Sequence, residues 1–103
     1  MLGSYEIVDK VHEGQIYQHF KGEFYQVIGL GEHTETGEKM VIYKRLFREG
    51  EIKTYIRPYV MFTSKVDEKK YPEHKNKQRF TLVLDPRDEK LTMKELKRVF
   101  SSN

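Results

Sequence analysis

Hydrophobic and polar residues alternate through the middle of the chain with the two-residue period of β-strands. Over residues 24–31, Phe24, Gln26, Ile28 and Leu30 fall on one face and Tyr25 and Val27 on the other. Both faces are largely apolar, which suits a strand buried on both sides or coiled around a small barrel. Gly29 and Gly31 supply the bend or bulge that such curvature requires. The preceding segment, 15–20, is short and aromatic, and Lys21-Gly22 is the turn between the two. Residues 32–38 form a polar loop with Gly37 free to take a positive φ. Residues 40–47 alternate again and complete an antiparallel hairpin with the strand before them. A further strand over 53–57 stops at Pro58. Residues 59–62 suit one 3₁₀ turn. A short strand over 63–66, a long charged loop over 67–78 and a last strand over 79–84 follow.

The C-terminus changes character. Thr92 followed by Glu95 is a capping-box pattern, and Leu96, Val99 and Phe100 then share one face. This predicts a short amphipathic helix over 93–101 laid on the barrel. Near the N-terminus, Ile7, Val8 and Val11 fit a helical turn as well as a strand. Short strands, tight turns and a 3₁₀ turn before the last strand predict a mainly β fold: a small SH3-like antiparallel barrel with a short C-terminal helix, with an OB-like barrel as the alternative.

Composition supports this picture. The 103 residues contain seven Tyr, six Phe and no Ala, the best helix former. One domain over 1–103 is expected at this length. Zero Cys removes disulfides, thiolate metal sites and cysteine nucleophiles. No apolar run approaches the roughly 20 residues of a membrane span, and the N-terminus has no apolar signal core, so a cytoplasmic protein is expected. The formal charge of +3 hides an asymmetry. Residues 1–38 carry Lys10 and Lys21 against seven acids, whereas residues 39–103 carry seventeen Lys or Arg against nine. Such a skew marks either an anion-facing surface or simple solvation.

Few residues here are equipped for hydrolysis. Ser4, Ser64, Ser101 and Ser102 stand in no Gly-x-Ser-x-Gly context. His12, His19, His33 and His74 have no helical metal-binding spacing. His19 and His33 with Glu35 could in principle hold zinc, and Glu32, Glu35 and Glu38 could supply an acid pair. Turn anchors and solvated acids are the simpler readings of both, so neither a metal nor a cofactor is assigned. The acidic first third and the small net charge disfavour nucleic acid. The basic segment 65–79, with six Lys or Arg against three acids, reads as an exposed loop.

The strings His19-Phe20-Lys21-Gly22, Tyr25-Gln26-Val27, His33-Thr34-Glu35-Thr36, Val41-Ile42-Tyr43-Lys44 and Arg57-Pro58-Tyr59-Val60-Met61-Phe62 together resemble the signature of the small bacterial and phage domain-of-unknown-function family 1653. The resemblance covers residues 14–80. It leaves an N-terminal extension, 1–13, and a C-terminal strand and helix, 81–103. It implies signature polar positions at His19, Lys21, His33, Thr36, Tyr43, Lys44 and Arg57, and no established reaction. The family usually has Arg where this chain has Lys44, and Lys lacks the bidentate fork of a guanidinium.

Lys21, Lys44 and Arg57 lie on different strands or turns that a barrel could bring together. His19, His33, Thr36 and Tyr43 add donors and hydroxyls, and Tyr17, Phe20 and Tyr25 offer flat surfaces. Positive charge interleaved with aromatics suits nucleotides and related anions. The competing structural reading makes Tyr43 and Arg57 a pair that holds the strands to the 3₁₀ turn. The expected function is therefore a non-enzymatic binding module for a small anionic or nucleotide-like ligand. A protein-interaction adaptor using a strand edge or aromatic groove is the first alternative, and a small hydrolase the second. Uncovered strand edges and the stripe on the terminal helix point to a homodimer.

Overall fold

Alternating apolar residues can bury themselves only by pairing into a sheet that curls over its own side chains, and this is how the chain folds. The computed structural model describes residues 10–48, 50 and 53–87. Its strands are β1 (Ile16–His19), β2 (Phe24–Glu32), β3 (Lys39–Arg45), β4 (Thr54–Pro58) and β5 (Phe80–Leu84), with the single-turn helix α1 (Tyr59–Phe62) after β4 and a 3₁₀ turn at Pro72–His74. Neighbouring strands are antiparallel in the order β4-β3-β2-β1-β5. β1 to β4 form a meander, and β5 returns to lie beside β1. The mainly β class and the helical turn before the last strand are as expected from the sequence. The sheet is open rather than closed: β4 and β5 are its two edges, and side chains fill the space between them.

Aromatic rings do most of that filling. Phe62 of α1 and Phe80 of β5 stack with ring centres 4.0 Å apart and planes within 6°. Phe62 also meets Tyr17 and Tyr43 edge-on at 5.1 and 5.3 Å. Val11, Val27 and Val41 complete this buried cluster. A smaller cluster of Ile16, Phe24 and Leu84 lies apart from it, so Ile16 and Tyr17, adjacent in β1, are buried in different clusters. Tyr17 is covered enough that burial pushes its phenol up to about 12. Its hydroxyl donates to the buried Gln15 Oε1 at 2.9 Å, and Gln15 Nε2 donates to Asp85.

Several boundaries differ from the sequence expectation, for local reasons. The register of β2 against β3 shifts between Val27 and Gly29. That bulge leaves Ile28 exposed and turns Leu30 onto the main core beside Val27 and Tyr25, off the face where strict alternation put it. Residues 59–62 form one α turn rather than a 3₁₀ turn. No strand forms over 63–66 beyond the isolated bridge of Lys65 with Gln78. The Thr63 amide donates back to Tyr59 O and closes α1, so it cannot extend a ladder. Gly14 takes φ +89° where Pro86 passes, and a Cβ there would sit 3.2 Å from Pro86 Cγ. Among the described residues no helix is long and apolar enough to cross a membrane. The helix expected over 93–101, with its Thr92 cap, lies outside the described residues.

Candidate functional site

The turn from β1 into β2, the end of β4, α1 and the loop before β5 meet at one cleft. Its walls are His19, Phe20 and Lys21 from the turn, Arg57 and Met61 from β4 and α1, and Asp67, Lys70, Tyr71 and Arg79 from the loop. The cleft has a volume of about 440 Å³, within the range of roughly 300–1,000 Å³ usual for small-molecule sites. A second cleft of about 430 Å³ shares His19 and Phe20 and continues along Gln18, Lys77, Gln78 and Thr81.

Arg57 is the best-anchored group in the first cleft. Its Nε–H donates to the hydroxyl of buried Tyr43 at 3.1 Å, and its guanidinium carbon lies 5.9 Å from the centre of the Phe80 ring. Arg79 is held in the same manner: its Nε–H donates to Ser64 Oγ at 3.4 Å, and Ser64 Oγ donates to Met61 O at 2.6 Å. The ammonium of Lys21 lies 5.0 Å from the Tyr71 ring centre, and that of Lys70 lies 5.5 Å from it. The hydrogen bond from Lys21, reinforced by Lys70, lowers the pKa of the Tyr71 phenol. Phe20 packs edge-on against Tyr71 at 5.0 Å and against His74 at 5.1 Å. Among the described residues, none of Lys21, Arg57, Lys70 and Arg79 forms an ion pair, and Asp67 is the one carboxylate in the cleft wall.

His19 is tuned by the same surroundings. Its Nδ1 accepts the Lys21 amide at 3.2 Å, so the neutral ring carries its proton on Nε2. Burial pulls its pKa down. Glu23, 3.8 Å from Nδ1, opposes the shift, and the positive charges of Arg57, Lys21 and Arg79 add to it.

The seven positions singled out in the sequence therefore part company. His19, Lys21 and Arg57 line one cleft, and Tyr43 lies beneath it as the anchor of Arg57. The expected pairing of Tyr43 with Arg57 is present, and it leaves the terminal nitrogens of Arg57 unpaired among the described residues. His33 and Thr36 are elsewhere, at the opposite end of β2 from the Lys21-Gly22 turn. There His33 Nδ1 accepts the amides of Glu35 and Thr36, and Thr36 Oγ1 accepts that of Glu38, so both side chains brace the hairpin turn. The zinc set of His19, His33 and Glu35 is split by the length of β2, and among the described residues no three metal-ligating side chains converge. Lys44 is exposed, one residue before the end of β3, and strand alternation aims it away from Tyr43, on the opposite face of the sheet. The sequence does not single out Lys70, Tyr71 and Arg79, which the fold places in the cleft wall. Their signal was the basic segment 65–79, which reads as a solvated loop until the fold brings it against Arg57.

The chain matches the family described as "Protein of unknown function (DUF1653)" over residues 15–82. A crystal structure of a protein belonging to DUF1653 from Bordetella bronchiseptica is similar to it, with 27% identity, a TM-score of 0.57, and coverage of 75% of this chain and 95% of that one. A search of curated proteins returned no match. The family match spans His19, Lys21, Arg57, Tyr71 and Arg79, every anchor of the cleft, and the chain belongs to the DUF1653 family.

Proposed function

We propose that this small β domain is a non-enzymatic binding module for a small anionic, nucleotide-like ligand, taken up in the cleft between the β1–β2 turn and the loop before β5. One observation carries the reading: four cations, Lys21, Arg57, Lys70 and Arg79, surround a single cleft with one carboxylate and no ion pairs of their own among the described residues. Like charges gathered this way repel one another, and a bound anion relieves the repulsion. Phe20 and Tyr71 offer ring surface to the remainder of the ligand. Arg57 is its strongest contact, because Pro58 fixes the backbone beside it and Tyr43 fixes the guanidinium.

Native mass spectrometry of the freshly purified protein with a panel of nucleoside mono-, di- and triphosphates tests the class of ligand. Arg57→Ala abolishes binding while the circular-dichroism spectrum stays that of the wild type. Arg57→Lys recovers part of it, since charge returns without the fork. A folded Arg57→Ala protein that binds normally would refute the site, and an unfolded one would make Arg57 a structural residue.

A further inference from the structure

We infer, on the basis of that reading, that the cleft is built for the dianionic phosphoryl group of a small phosphomonoester, clamped by the two guanidinium groups of Arg57 and Arg79. Each guanidinium is pinned by the same device, a hydroxyl that accepts its Nε–H: Tyr43 Oη for Arg57 and Ser64 Oγ for Arg79. Pinning at Nε fixes the plane of the group and turns its two terminal nitrogens into the free fork. Neither fork meets a carboxylate among the described residues. A carboxylate has two oxygens in one plane and saturates one such fork. A phosphomonoester presents three terminal oxygens in a tetrahedron and can engage two forks at once.

The charge balance selects the same chemistry. Four cations and Asp67 leave the cleft at +3 with His19 neutral. A monocarboxylate would leave most of this uncompensated, whereas a phosphomonoester brings about −1.5 to −2 near neutral pH. The space around the clamp suits an ester rather than free phosphate. Phe20 and Tyr71 line one side. Across the shared His19 and Phe20, the second cleft is lined by Gln18, Lys77, Gln78 and Thr81, polar side chains suited to the body of an ester rather than to free phosphate. Arg79 is the residue this assignment adds to those expected from the sequence.

Titration calorimetry of the full chain at fixed ionic strength and pH 7.5, with phenyl phosphate, benzoate and succinate as probes, separates the possibilities. Phenyl phosphate and benzoate share a ring and differ in head group, and succinate supplies a dianion without a phosphoryl tetrahedron. Phenyl phosphate binds at least about tenfold more tightly than either carboxylate, the worth of one added charge-assisted fork. Arg79→Lys removes that margin and leaves benzoate within about threefold of wild type. Should Arg79→Lys fail to fold, Ser64→Ala frees the Arg79 Nε without removing the charge, and it weakens phenyl phosphate several-fold. Carboxylates that bind as tightly as phenyl phosphate, or an Arg79→Lys or folded Ser64→Ala protein with unchanged selectivity, would overturn the clamp and leave the anion cleft standing. A folded wild-type protein that binds none of the three probes overturns both.

Discussion

At the scale of single residues, His19 joins stability to the chemistry of the cleft. The unfolded chain takes up a proton on this imidazole near its usual value of about 6.5. The folded protein resists, because the ring is largely buried and faces Arg57, Lys21 and Arg79. Below that value the unfolded state binds more protons than the folded one, so this group lowers stability as the pH falls and contributes nothing above it. Thermal melts at pH 7.5 and pH 5 should therefore differ more for the wild type than for His19→Gln, which keeps a polar side chain but cannot titrate. An equal drop in both proteins would place the acid sensitivity elsewhere. Residues of this kind were only half legible in the sequence. His19 and His33 look alike there, each an isolated imidazole at a strand end next to a turn. In the fold, His33 spends its Nδ1 on the two amides of its own hairpin, whereas His19 gives Nδ1 to one amide and sets its ring between the turn and Phe80. Side-chain type was visible in advance; the partner of each ring nitrogen was not.

Among the elements, α1 has an influence out of proportion to its single turn. It carries Phe62, 1% exposed, into the gap between the edge strands, where the ring stacks on Phe80 and meets Tyr17 and Tyr43. Phe62→Ala is expected to cost about 3–5 kcal/mol, a large fraction of the roughly 5–15 kcal/mol typical of a domain. Val60, in the same turn but 68% exposed, should tolerate Ala within about 0.5 kcal/mol. Urea unfolding of the two variants side by side checks the contrast, and equal midpoints would mean that the turn is not what closes the core. The strands themselves could be read from alternation, because period 2 survives wherever one face is buried. The bulge at Ile28 could not be placed in the same way. Gly29 announced that β2 would bend, but which residue loses its partner depends on the register with β3. The absent strand at 63–66 has a similar origin, since its first amide is already committed to α1.

At the scale of the whole molecule, the two candidate charge clusters among the described residues lie at opposite ends of β2. The acidic hairpin with Glu32, Glu35 and Glu38 follows the end of this nine-residue strand, and the turn bearing Lys21 precedes its start. A strand of that length spans on the order of 20 Å or more, about two Debye lengths at 0.1 M salt. The cations of the cleft and the acids of the hairpin therefore barely sense each other in solution. Sequence halves showed the imbalance but not its arrangement, because Lys70 and Arg79 reach Arg57 only through the return of β5 to β1. If attraction for an anion arises in the cleft, the acid lining it must oppose binding while the acids of the hairpin stay neutral to it. Asp67→Asn keeps an oxygen for the Lys69 amide that Asp67 now serves and removes the negative charge. It should tighten phenyl phosphate several-fold at low salt, an advantage that shrinks as salt screens the cleft. Glu35→Gln, with the same change in net charge at the far end of β2, should leave the affinity within about twofold. Calorimetric titrations of both variants at 0.05 and 0.5 M salt make the comparison. Equal tightening by the two would mean that overall charge, rather than this cleft, draws the ligand in.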